Sequence, residues 1–175
     1  MDISNGEGIG ISLFTQGCHF HCRNCFNSET WDFDGGKEWS EEVKEDFLRL
    51  AANPHIKRIS LLGGEPLANE NLDGVLDLVN EIRLSFGEKK TIWLYSGYKL
   101  EETQIMLKGI SLDCLETNRQ NCLRQQIISK CDVMIDGRYI DEQRDITLKW
   151  RGSKNQRCID VQKTLKHKEV ILHCD

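Results

Sequence analysis

The apolar positions of the chain follow two rhythms in alternation. Over residues 8–17, Ile9, Ile11 and Leu13 recur at every second position among smaller residues, the period of a half-buried strand. Ser40 then precedes Glu41 and Glu42, and Val43, Phe47, Leu50 and Ala51 follow at helical spacing. This predicts a helix capped by Ser40 and stopped at Asn53-Pro54. Residues 56–62 read as a second strand that ends at Gly63-Gly64-Glu65-Pro66. Leu72, Val75, Leu76, Val79, Ile82 and Phe86 make one helical stripe, closed by Gly87. A third strand over 91–95 runs into Ser96-Gly97-Tyr98. A short helix over 101–107 and a polar helix over 115–130 precede a fourth strand at 131–135, which ends at Asp136-Gly137. Beyond Asp141 the pattern weakens. Trp150-Arg151-Gly152-Ser153 reads as a loop and 157–161 as a last strand.

Strands that alternate with helices imply an α/β fold with a mostly parallel sheet. In such folds the C-terminal strand ends share one rim, where sites are built. Four motifs stand just after predicted strands: a cysteine-rich segment after the first, Gly-Gly-Glu-Pro, Ser96-Gly97-Tyr98 and Asp136-Gly137. They are expected to meet in one pocket although they lie far apart in sequence.

The length of 175 residues suits a single domain spanning 1–175. An apolar fraction of 39% can build a core, and 2 prolines with 29% charged residues leave little scope for a long disordered tail. The net charge of −5 argues against gripping a phosphate backbone or an anionic membrane. No run approaches the roughly 18 apolar residues of a membrane helix, and Met1-Asp2-Ile3-Ser4 lacks the basic and apolar regions of a signal peptide. The expectation is a cytoplasmic protein that binds neither nucleic acid nor membrane.

The eight cysteines change this bland picture because of their placement. Cys18, Cys22 and Cys25 crowd into one short segment, whereas Cys114, Cys122, Cys131, Cys158 and Cys174 are scattered over the last third. Without an export signal, a tight cluster reads as metal or redox chemistry rather than as a disulfide scaffold. The spacers of three and two residues allow the segment to curl so that three thiolates meet one inorganic centre. Soft thiolate donors suit iron–sulfur chemistry, and three of them rather than four would leave one iron of a 4Fe–4S cluster open. Two rival readings are zinc with His19 or His21 as fourth ligand, and a redox pair of Cys22 and Cys25 with Cys18 incidental. The bland alternative is three cysteines that merely pack.

Cys18-x3-Cys22-x2-Cys25 together with Gly63-Gly64-Glu65-Pro66 resembles the radical S-adenosylmethionine enzymes. Asp2-Ile3-Ser4-Asn5-Gly6-Glu7-Gly8, Trp93-Leu94-Tyr95-Ser96-Gly97-Tyr98, Asp136-Gly137-Arg138-Tyr139 and Trp150-Arg151-Gly152-Ser153 narrow this further. With these segments the chain resembles the activating proteins of anaerobic (class III) ribonucleotide reductase, from Asp2 to about Val161. Gly10 stands where many members have Arg, and Asn24 where the wider superfamily favours an aromatic residue.

The resemblance implies a partial, incomplete TIM-like (β/α) barrel of the radical S-adenosylmethionine type. It implies that Cys18, Cys22 and Cys25 hold a 4Fe–4S cluster whose fourth iron binds S-adenosylmethionine. Reductive cleavage would give a 5′-deoxyadenosyl radical that takes a hydrogen atom from a glycine of the reductase large subunit, with an external, flavodoxin-like electron donor. Gly63 and Gly64 would let backbone approach the ligand, and Glu65 would accept from its ammonium group. Asn24 and Phe26 flank the last cysteine and would contact adenine, or simply pack there. Tyr98 and Asp136 are placed to touch ribose or sulfonium, or to be structural. Trp150, Arg151 and Arg157 would close the pocket or meet the partner, or cap the sheet. Other implied functions are activation of a different glycyl-radical enzyme or radical chemistry on a small molecule. A non-catalytic zinc or iron–sulfur module is the third class.

Overall fold

Parallel neighbours need a crossover, and the helical stripes supply it. The computed structural model describes residues 1–103 and 119–174. The described residues form six strands, β1 (Gly10–Thr15), β2 (Arg58–Gly63), β3 (Thr91–Ser96), β4 (Val133–Asp136), β5 (Arg157–Asp160) and β6 (Leu172–Cys174). They lie side by side in chain order in one sheet. Helices α1 (Glu41–Ala51), α2 (Leu72–Phe86) and α3 (Arg119–Ser129) fall between the first four strands, which pair in parallel. β5 runs antiparallel to β4, and β6 antiparallel to β5, with α4 (Val161–His167) between the last two. The protein is thus a mixed α/β fold whose six-strand sheet stays open.

The caps behave as their sequence suggests. Ser40 Oγ accepts from the Val43 N–H at 3.3 Å, and Gly87 closes α2 at φ +56°. The last predicted strand is corrected at its end: Asp160 turns the chain, accepting from the Lys163 N–H at 2.9 Å, so Val161 starts α4 instead of extending β5. Neither α4 nor the three-residue β6 has enough turns or alternations to give a periodic signal. The predicted helix over 101–107 opens as a 3₁₀ turn, Leu100–Thr103, and the remainder of that prediction lies outside the described residues, as do Cys114 and positions 115–118 of the polar helix.

Alternate strand residues serve two clusters. Ile59, Leu61, Ile92, Leu94 and Met134 pack with Phe47, Leu78 and Ile127 of the helices. Trp93, Val133, Ile135 and Cys158 point the other way, where Tyr95, Trp150 and Cys174 pack on them. Among the described residues no helix contributes to that second cluster; the N-terminal segment covers part of it, with Gly6 against Trp93. Arg58, fully buried on β2, donates to the carbonyls of Gly8 and Asp2 at 3.1 Å and to Asp2 Oδ2 at 2.6 Å. A Cβ on Gly10 would lie 2.7–2.8 Å from this guanidinium. The guanidinium occupies space that Gly10, having no side chain, leaves free. Among the described residues no helix is long and apolar enough to cross a membrane.

Removing one partner of a buried ion pair strands the other. Arg58→Met is expected to cost about 3 kcal/mol and to free the N-terminal segment. A lower urea midpoint together with faster proteolysis before Gly10 is the expected result; an unchanged midpoint would mean that the segment is not held by Arg58.

Candidate functional site

The site begins where β1 leaves the sheet. The Gly17 N–H donates to Thr30 O at 2.9 Å and the Cys18 N–H to Trp31 O at 3.0 Å, tying the start of the cysteine segment to the loop behind it. From the other side, the Gly64 N–H donates to Thr15 O and the Glu65 N–H to Gly17 O, both at 2.8 Å. Asn71 Nδ2 spans both chains, donating to the carbonyls of Gln16 and Glu65 at 2.9 Å. This crossing is too close for a side chain. A Cβ on Gly64 would come within 2.4 Å of Gly17 O, and one on Gly63, at φ +108°, within 2.7 Å of Thr15 O. The two glycines therefore have a nearer reason than ligand approach: they let the end of β2 touch the root of the cysteine loop.

The loop then curls. His21 (φ +45°) and Asn24 (φ +53°) adopt left-handed backbone, and the Cys25 N–H donates to Cys22 O at 3.1 Å. Asparagine tolerates that conformation better than an aromatic residue does, which gives Asn24 a conformational reason to stand where it does. Its Nδ2 donates to Asp141 Oδ2 at 2.7 Å, and the side chain does not line the cavity described next.

Cys18, Cys22 and Cys25, all free thiols, line one cavity of about 480 Å³. Gly63, Gly64, Ser96, Gly97 and Gly137 line it too, so all four strand-end motifs reach one pocket. Burial pushes the Cys18 thiol up, and a hydrogen bond from Phe20 does not cancel it; burial and the neighbouring Cys25 do the same to Cys22. Such thiols keep their protons unless a metal displaces them. Among the described residues no three His, Cys, Asp or Glu side chains converge tightly enough for a single metal ion. A cluster sets a different iron against each thiolate and so needs its sulfurs further apart. His19 and His21, the nitrogen ligands of the zinc reading, are turned aside. His19 Nε2 bonds Glu70 at 3.0 Å, and His21 stacks on Trp31 at 4.7 Å between ring centroids.

The other expected residues divide. Phe26 is 57% exposed on the cavity wall, edge-on to Tyr139 at 5.4 Å. Trp150 and Arg151 line the wall as well. Glu65 does not: its carboxylate accepts from the Leu67 N–H, Ser96 Oγ and the Gly97 N–H at 2.7–2.8 Å, beneath the rim. Asp136 is buried under Arg157, which also holds Glu101, so both fasten the ends of β4 and β5. Tyr98 accepts from Arg124 at 3.3 Å and packs edge-on to Phe20. The sequence reading missed Tyr95 and Arg138, which line the cavity. Period two does put Tyr95 on the same face as Trp93, but both faces of β3 are buried, so nothing in the sequence marked one as the ligand side.

The walls suit an iron–sulfur group. The thiols are soft donors, the surroundings are largely aromatic and aliphatic, and Tyr95 Oη and Arg151 Nε are buried there with no hydrogen-bond partner. Buried polar atoms without partners mark places that something else completes. Fold and site together define an open-sheet α/β protein with a three-thiol cavity at its strand-end rim.

Comparison with known proteins agrees with this class. The sequence model of the family described as "4Fe-4S single cluster domain" matches residues 4–159. Three similar proteins bear the name anaerobic ribonucleoside-triphosphate reductase-activating protein. That of Vibrio cholerae is 34% identical, covering 89% of this chain and 90% of its own. The Escherichia coli K12 protein is 33% identical (89% and 91%), and that of bacteriophage T4 30% identical (89% and 86%). No solved structure matches the chain. The chain belongs to the 4Fe–4S single-cluster domain family and, within it, to the family of anaerobic ribonucleoside-triphosphate reductase-activating proteins.

Glu65 gives this rim a pH dependence. Burial pushes its carboxyl up to about 7 from 4.5, against the bonds from Gly97, Leu67 and Ser96 and the charge of Arg124. An acid whose folded pKa is raised stabilises the fold below its unfolded pKa and loses that contribution as pH rises through the folded one. Relative to Glu65→Gln, the wild-type chain is expected to lose on the order of 3 kcal/mol between about pH 4.5 and 7. Urea titrations of both proteins across that range check it; a constant difference between them would contradict it.

Proposed function

We propose that this chain activates an anaerobic ribonucleoside-triphosphate reductase by generating a glycyl radical on its large subunit. The observation that carries the reading is the meeting of Cys18, Cys22 and Cys25 with the Gly63-Gly64 strand end in one open cavity, in a chain whose relatives carry that name. The open sheet is, on this reading, an incomplete (β/α) barrel of the radical S-adenosylmethionine type, and residues 1–175 act as one cytoplasmic domain. A 4Fe–4S cluster held by Cys18, Cys22 and Cys25 would supply one-electron reduction of S-adenosylmethionine, the source of a 5′-deoxyadenosyl radical for removing the glycine hydrogen.

The chain's own residues do the rest. Cys18, Cys22 and Cys25 hold the cluster, and burial of Cys18 and Cys22 keeps the thiolate form dependent on it. The Gly63-Gly64 backbone forms one side of the ligand site; Glu65 acts from below by fixing the N–H of Gly97 and the hydroxyl of Ser96. Phe26 offers a ring face to adenine. Trp31, Leu62, Ile135 and Trp150 keep water from the reacting atoms. The cavity opens between Phe14, Phe26 and Ile146, all exposed. Through it a partner loop reaches the ribose, as hydrogen abstraction needs close contact. The electron comes from an external donor of flavodoxin type.

Cys18→Ala, Cys22→Ala and Cys25→Ala are each expected to lower cluster content at least about tenfold, while Cys131→Ser leaves it unchanged. Iron and sulfide analysis after anaerobic reconstitution decides; full content in Cys22→Ala would remove the assignment.

Anaerobic mixing of the reconstituted protein with the reductase, S-adenosylmethionine and a strong reductant should give a glycyl-radical spin signal and 5′-deoxyadenosine. Deoxyadenosine without a signal on the reductase would redirect the activity to another target. Neither product, with the cluster intact, would refute radical chemistry.

A further inference from the structure

Behind the cavity wall stands a second pair of cysteines. Cys158 on β5 and Cys174 on β6 are direct cross-strand partners. Both are free; Cys158 is fully buried and Cys174 half-buried. Cys174 packs against the buried cluster to which Cys158 belongs, so the two side chains lie on the same face of the sheet. Directly opposed residues of antiparallel strands have their Cα atoms about 4.5–5.5 Å apart, inside the range that a disulfide spans.

We propose that Cys158 and Cys174 are a redox-active dithiol that closes to a disulfide at the expense of a low-molecular-weight disulfide of the glutathione type. Cys174 is the thiol a reagent can reach. Its thiolate attacks one sulfur of the oxidant, forming a mixed disulfide and releasing one thiolate. Cys158, held against it, then attacks Cys174 Sγ, forming the internal bond and releasing the second thiolate. Two protein thiols are oxidised, one external disulfide is reduced to two thiols, and the two cysteine protons pass to the departing thiolates. Burial holds Cys158 as a thiol at rest, while the Arg151 guanidinium nearby favours the thiolate the second step requires.

The pair is placed to affect the cavity. Cys158 packs with Trp93, Tyr95 and Trp150, and Tyr95, Trp150 and Arg151 line the cavity. His173, next to Cys174, packs edge-on to Trp93 at 5.3 Å and tilts over Trp150 at 6.1 Å. Bonding β6 to β5 therefore pulls on the ring contacts that form the wall.

The test uses cluster-loaded protein equilibrated without oxygen in glutathione buffers of rising disulfide fraction. Samples are quenched in acid, alkylated, digested and mapped by mass spectrometry. The expected result is a peptide pair joined through Cys158 and Cys174 that rises to one link per chain, with Cys131 still alkylated. Tryptophan fluorescence should change with the same midpoint while bound iron stays constant. In Cys174→Ser that change should be absent. Cys158 alkylated at every ratio, or glutathione retained on Cys174 without an internal link, would overturn the proposal. A fluorescence change that follows loss of iron would overturn its coupling to the cavity.

Discussion

The structure depends on a backbone crossing in which the end of β2 bonds to the root of the cysteine loop. Two N–H groups, of Gly64 and Glu65, donate to the carbonyls of Thr15 and Gly17 at 2.8 Å. Parallel pairing fixes where β1 and β2 end relative to each other, with Thr15 opposite Gly63. The crossing carries that register past the sheet into the loop. Cys18, the first of the three cavity cysteines, follows Gly17 directly, so its position is set by the sheet rather than by the loop's own conformation. Any side chain at residue 64 would force the two backbones apart.

Burial then decides the chemistry available at this place. An exposed trio of cysteines would titrate near the ordinary thiol value and react with each other or with oxidants. Here burial favours the protonated thiols of Cys18 and Cys22, and a bound metal centre would make thiolates of them. The same burial raises Glu65, whose three hydrogen bonds hold Ser96, Gly97 and Leu67 under the rim. The motif glutamate therefore organises the strand end that lines the cavity without itself standing in the cavity wall.

Asymmetry of the sheet leaves room for a large partner. Helices cover one face; the other is built on Trp93, Ile135 and Trp150 and held at its edge by Arg58 and the N-terminal segment. After β4 the connection to β5, residues 137–156, is a loop with a single 3₁₀ turn at Asp141–Gln143 and no α-helix, and the chain returns antiparallel. That loop supplies Arg138, Tyr139, Leu148, Trp150 and Arg151 to the cavity. A protein substrate needs a wide opening, and an open sheet with a loop in place of further strand–helix units supplies one. Radical chemistry on a backbone glycine is the proposed use of that opening.

The sequence by itself determined the alternation of strands and helices, the Ser40 and Gly87 caps, the cysteine trio and the meeting of four strand ends at one rim. These are legible because periodicity and cap chemistry are local, and because parallel topology sends all C-terminal strand ends to the same side. Only the tertiary structure decided that Asp136 and Arg157 fasten strands, that Asn24 serves the turn, that Tyr95 and Arg138 line the cavity, and that Cys158 meets Cys174. Those outcomes depend on which residues face each other across long stretches of chain, as with Asp136 and Arg157 at a separation of 21. Where both faces of a strand are buried, the alternation that would tell one face from the other vanishes from the sequence, and packing alone makes the choice.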